Sequence, residues 1–211
     1  MESKNKKALA AEVIARLKKL YPDAVCSLCT QTPLQLLIAT RLAAQCTDKR
    51  VNMVTPVLFS RFPTLDSLCE ATVEEIEEII APCGLFHTKA RDIKGMCVMI
   101  RGKFGGEVPD SMEQLLSLPG VGRKTANLVL GDAFGQHAIV TDTHCIRISN
   151  RLGLCDVKDP YKVELALREI IPPEEGNDFC HRLVLFGRDT CTARSPKCGE
   201  CGLGDICHKK F

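Results

Sequence analysis

The chain has 211 residues, 45% of them hydrophobic, enough to bury one sizeable core or two small ones. Aromatic residues make up only 5% and Trp is absent, which argues against a single-strand binder built on base stacking. A formal charge of +2 means that any nucleic-acid surface must come from local clustering. No uninterrupted apolar run approaches the ~20 residues of a membrane span.

Taken in order, the segments read as helices. Ser3 to Leu20 is Lys-rich and amphipathic, with Glu12 inside its apolar stretch, so it reads as a helix and not as a secretory signal. Thr32 as N-cap and Pro33 at the first position open a second helix, with Leu34, Leu37, Ile38 and Leu42 on one face. Asp48 is expected to cap a third, through Phe59. Thr72-x-x-Glu75 and Ser111-x-x-Gln114 are capping boxes, and Lys89 to Phe104 is a longer helix between them, stopped by Gly105-Gly106. Further helices are expected at 125–134, near Thr143–Leu152, at Tyr161–Ile170 and at Glu174–Phe186. Alternation of the β type is scarce, and the class is all-α.

The stretch Leu118-Pro119-Gly120-Val121-Gly122-Arg123-Lys124-Thr125-Ala126 carries the most information. Gly tolerates positive φ and Pro presets a turn, so these residues make a tight hairpin that leads into a helix. Lys124 then stands in the first helical turn. Unpaired N–H groups there suit a phosphate oxygen, and the positive helix end with Arg123 beside it favours the uncharged amine that a nucleophile needs. Eighteen residues on, Asp142 lies in Val140-Thr141-Asp142-Thr143-His144. Standing alone, it reads as the N-cap of the next helix.

Thirteen cysteines, an odd number, fit a reducing cytoplasm better than a disulfide framework. Four close the sequence as Cys191-x6-Cys198-x2-Cys201-x5-Cys207, able to wrap one metal centre; spacing alone leaves zinc and iron–sulfur open. The nine others sit mostly among apolar neighbours, as small hydrophobes. Cys26-x2-Cys29 has no matching pair nearby to complete a second site. Cations collect at Lys49–Arg50, Arg123–Lys124 and, near the C-terminus, Arg188, Arg194, Lys197, Lys209 and Lys210.

The lysine-bearing hairpin followed by Val-x-Asp-Thr-His resembles the endonuclease III family of DNA base-excision glycosylases, from about Leu34 to Cys207. The resemblance implies a helix-hairpin-helix glycosylase fold: a six-helix bundle over 26–136, and a second helical domain from 1–25 plus 137–211. It implies Lys124 as nucleophile, Asp142 as the carboxylate that supports a cationic sugar, and the two facing each other across an interdomain cleft. The 6-2-5 cysteine spacing implies a [4Fe–4S] cluster on Cys191, Cys198, Cys201 and Cys207. Gln45 and Leu85 are implied as side chains that fill the space left by a flipped nucleotide, and Gly120, Val121 and Gly122 as donors to phosphate. Arg123 adds charge beside them, and Arg194 and Lys197 are implied to aim at phosphates from the cysteine loop. The expected partner is double-stranded DNA with damaged bases or abasic sites, met by a monomeric cytoplasmic enzyme with no membrane attachment. The activity implied is removal of oxidised pyrimidines followed by cleavage 3′ to the abasic site. Two rivals are a lysine-free adenine or mismatch glycosylase and a non-catalytic DNA-binding module; retention of both Lys124 and Asp142 argues against them.

Overall fold

A computed structural model of the chain describes residues 2–209, so Lys210, counted above among the C-terminal cations, lies outside the described residues. Eleven α-helices and three short 3-10 turns account for its regular structure, with no strand among the described residues. The chain divides into two compact units, 27–135 and, from both ends of the sequence, 1–26 with 136–211.

Unit 27–135 contains α2 (Pro33–Leu42), α3 (Asp48–Arg61), α4 (Leu65–Glu70), α5 (Val73–Ile80), α6 (Phe86–Lys103), α7 (Met112–Leu116) and α8 (Arg123–Phe134). Its core is made by Leu37, Ile38 and Leu42 of α2, Val51 and Leu58 of α3, Ile76 and Ile80 of α5, Ile93, Met96 and Ile100 of α6, and Ala126 and Val129 of α8. Each of these is at most marginally exposed; of the four α2 residues read as one face, Leu37, Ile38 and Leu42 are buried, Leu34 is half-buried, and Leu36 is buried as well. Thr32 caps α2, its side chain accepting from the Gln35 N–H, and Pro33 holds the first helical position.

Several helix starts differ from the sequence reading. Thr47, not Asp48, caps α3: Thr47 is extended and its Oγ1 accepts from the Arg50 N–H, while Asp48 is already helical, where its charge suits the helix dipole. The short α4 was not expected; its capping box uses Ser67 in the place usually held by Glu or Gln. The Thr72–Glu75 box is complete, whereas Ser111 bonds the Gln114 N–H and the Gln114 side-chain oxygen without a return bond to its own N–H. Helix α6 begins three residues before Lys89, at Phe86, and ends where Gly105 and Gly106 take positive φ.

The other unit holds α1 (Glu2–Leu20), α9 (Thr143–Leu152), α10 (Pro160–Arg168) and α11 (Gly176–Asp189). Helix α1 packs on α11, and α11 on α9. Side-chain bonds secure the first helix to the C-terminal segment: Arg16 donates to both carboxylate oxygens of Asp205, at 2.5 and 2.9 Å, and to the Gly202 carbonyl, and Lys18 pairs with Glu175. Gly187 lets α9 come close, because a β-carbon there would collide with the His144 ring.

Candidate active site and cluster loop

In the hairpin, Leu118 and Val121 point inward and are buried, and the Val121 N–H closes the turn on the Leu118 carbonyl at 3.2 Å. Its two glycines have different jobs. Gly120 has φ +72°, and a β-carbon there would lie 2.6 Å from Arg41 Nε and from Asp92 Oδ2. Those two groups form an ion pair at 2.6–2.7 Å, so the back of the hairpin rests on a link between α2 and α6. Gly122 is extended (φ −98°, ψ 173°), faces open space, and caps α8 without a side-chain bond. Arg123 and the exposed Lys124 occupy the first turn of α8, where N–H groups lack helical partners.

Gln45 and Leu85 share a rare feature. Only three non-glycine residues among those described have positive φ, and these are two of them, at 54° and 49°. Gln45 sits exposed in the turn between α2 and α3; Leu85 opens α6 and is 57% exposed. Left-handed backbone at a side chain with a β-carbon is costly, and both residues that carry that cost are exposed. Sequence pattern gives no warning of such a conformation at Gln or Leu.

Asp142, in the other unit, is the N-cap of α9, and its Oδ1 accepts from the Cys145 N–H at 2.7 Å. The local reading of this aspartate is therefore right, and capping fixes a half-buried carboxylate in one orientation. His144 packs within the unit, its Nδ1 3.2 Å from Arg147 Nη2.

The four C-terminal cysteines line one cavity with Arg151, Leu152, Phe186, Pro196 and Leu203. No group of three or more His, Cys, Asp or Glu among the described residues converges to hold a metal ion. A cubane of four irons and four sulfides takes four soft thiolates round one common space, and these four sulfurs line such a space. Three of the sulfurs already accept N–H groups, as thiolate ligands require: Cys191 from Arg151 at 3.4 Å, Cys201 from Leu203 at 3.4 Å and Cys207 from Lys209 at 3.3 Å. Burial foremost, then the neighbouring Cys191, Cys207 and Cys198, raises the free Cys201 thiol, and the Leu203 N–H opposes them.

Two arginines one turn apart on α9 hold the start of this loop, a role the sequence reading missed. Arg151 donates to the Thr192 and Ala193 carbonyls at 2.8 and 2.9 Å, and Arg147 to the Gly187 and Cys191 carbonyls. Their i, i+4 spacing marks one polar stripe, but nothing in it names the target. Within the loop, Arg194 is exposed, and Lys197 stands 3.7 Å from Asp189.

The helical fold, glycine hairpin and cysteine loop together define a helix-hairpin-helix base-excision repair protein. A family model described as HhH-GPD superfamily base excision DNA repair protein matches residues 38–173, and the iron-sulfur binding domain of endonuclease III matches residues 191–207. Within that class, the chain is 52% identical over 204 residues to the endonuclease III of Synechocystis sp. (96% of this chain, 93% of the relative). It is 40% identical to that of Escherichia coli, covering 97% of each. A solved structure of a trapped endonuclease III–DNA covalent intermediate superposes with a TM-score of 0.91, at 44% identity over 96% of both chains. The chain belongs to the endonuclease III family, and is a DNA glycosylase and abasic-site lyase of base excision repair with a [4Fe–4S] cofactor.

Proposed function

We propose that the substrate is duplex DNA carrying oxidised pyrimidines or abasic sites, with Lys124 as the nucleophile and Asp142 as the supporting carboxylate. The lone pair of Lys124 Nζ bonds to C1′ as the C1′–N bond breaks and the base departs with a proton. The amine nitrogen gives up a proton, the ring oxygen gains one as C1′–O4′ opens, and an iminium forms. That iminium acidifies C2′; loss of a C2′ proton expels the 3′ phosphate, and water then releases the amine. Asp142, held by its cap, offsets positive charge on the sugar and relays protons. A water nucleophile would stop at the abasic site, so a lysine here accounts for both reactions.

The observation that carries the reading is an exposed amine in the first turn of α8, directly after the hairpin. The covalent DNA complex of a 44% identical relative supports it. Gly120, Val121 and Gly122 present N–H groups to phosphate, with Arg123, Arg194 and Lys197 adding charge. Gln45 and Leu85 enter the space of the extruded nucleotide. Cys191, Cys198, Cys201 and Cys207 hold the cluster, which cross-links a segment too short to build its own core. No described helix is long and apolar enough to cross a membrane; the proposed setting is a monomer acting on DNA in the cytoplasm.

Borohydride trapping on abasic duplex tests the assignment. Wild type should form a covalent adduct, and Lys124→Ala should lose it while still binding DNA. An adduct that persists in Lys124→Ala overturns the choice of nucleophile.

A further inference from the structure

Lys89 is completely buried, at 0% exposure, and nothing in the chemistry above uses it. A buried ammonium normally needs a carboxylate, because leaving water costs several kcal/mol. None acts here: the groups that influence Lys89 are the Cys46 and Cys83 sulfurs and Arg41. Its Nζ donates to the carbonyl of Leu42 at 2.8 Å and to that of Cys83 at 2.9 Å. Leu42 is the last residue of α2, three before Gln45, and Cys83 is two before Leu85. One amine thus spans the roots of both turns that hold a left-handed residue.

We propose that Lys89 is a positioning residue, fixing the spacing between Gln45 and Leu85 so that both side chains enter the duplex as one rigid wedge. The inference rests on the reading of Gln45 and Leu85 given above. Local bonds explain each turn separately: Ala43, Ala44 and Cys46 close the first, and Gly84 closes on Ala81 in the second. Among buried side chains, Lys89 joins them. Two weaker links run beside it: the Cys46 and Cys83 thiols hydrogen-bond to each other, and the exposed Arg50 donates to the Pro82 carbonyl at 3.2 Å. Burial lowers the Lys89 ammonium below the ordinary lysine range, and even an uncharged amine keeps two N–H groups for two carbonyls. Strained turns persist only where the surroundings over-determine them, and a buried tether of fixed length does that.

Lys89→Met keeps the length and packing of the side chain and removes both donations. With 2-aminopurine opposite the lesion, the fluorescence rise on duplex opening should slow about tenfold to a hundredfold. Borohydride trapping at an abasic site inside an unpaired bubble, where no pair must be broken, should stay within about twofold, since the reacting groups are untouched. Equal losses on both substrates would reduce Lys89 to a structural role and overturn the proposal, as would an unchanged opening rate. Gln45→Ala and Leu85→Ala separate the two readings. If neither slows opening, the wedge assignment itself fails; if both do while Lys89→Met does not, only the tether fails. Should Lys89→Met not fold, the Gln45→Ala, Leu85→Ala double variant decides. A rigid wedge makes the two losses non-additive, and simple additivity refutes it.

Discussion

Adding one methyl group at Gly120 should cost unit 27–135 about 2–5 kcal/mol of stability. The left-handed backbone contributes about 1–2 kcal/mol once a β-carbon is present. The rest comes from the ion pair behind it. A β-carbon 2.6 Å from Arg41 Nε and Asp92 Oδ2 is closer than real contacts allow, so these side-chain ends must shift and the pair is weakened by as much as they part. Those side chains are only 13% and 21% exposed, which makes an unpaired charge there cost about 1–3 kcal/mol. For a unit of about 110 residues, the melting temperature should fall by roughly 10–20 °C. Gly122→Ala is the internal control: its β-carbon meets nothing within 4 Å and φ is negative, so the loss should stay below about 1 kcal/mol. The same methyl would stand on the open face that the proposed phosphate contact uses, so Gly122→Ala should weaken DNA binding while melting nearly as wild type. Thermal melts by circular dichroism, paired with DNA titrations, read both effects. Similar melting temperatures for the two variants would refute the distinct roles assigned to these glycines.

Asn caps a helix as well as Asp does, so Asp142→Asn should keep α9 and DNA affinity while slowing base release at least about a hundredfold; parallel losses in both would make Asp142 purely structural. Arg151→Met leaves the Thr192 and Ala193 carbonyls without their donor, which should cost about 2 kcal/mol or more and hasten loss of visible cluster absorbance in chelator; unchanged bleaching would contradict the clamp. The Thr72 N–H, foremost, holds the Glu75 carboxyl below its ordinary range, so its stabilisation is present at neutral pH and lost as pH falls through the lowered value. Glu75→Gln should accordingly differ most from wild type near neutrality and converge with it in acid, as denaturant midpoints across that range would reveal.

What was legible in the sequence follows from how local its causes are. Thr32–Pro33, Thr72–Glu75 and Gly105–Gly106 act within a turn or two, and the helices begin and end where those residues say. Asp48 misled because two good caps are adjacent, and only backbone conformation chooses Thr47. Lys124 could be placed because the hairpin and its helix are continuous in the chain. The supports behind the site are long-range: Arg41 meets Asp92 fifty-one residues away, and Arg151 meets Thr192 forty-one away. Lys89 alone left a trace, sharing the helical stripe of Ile93, Met96, Cys97 and Ile100, all buried. A charged residue in register with an apolar face marks a buried tether, but its acceptors stay hidden.

The unit formed by the two chain ends sets an order for biosynthesis. Helix α1 is translated well before its partners, α11, Gly202 and Asp205. Residues 27–135 can collapse around their own core while the nascent chain is still tethered, whereas the amphipathic leading helix must wait with its apolar face uncovered. That second body therefore closes only after residues 136–209 have been made, which places loading of the cysteine loop later in folding than collapse of residues 27–135.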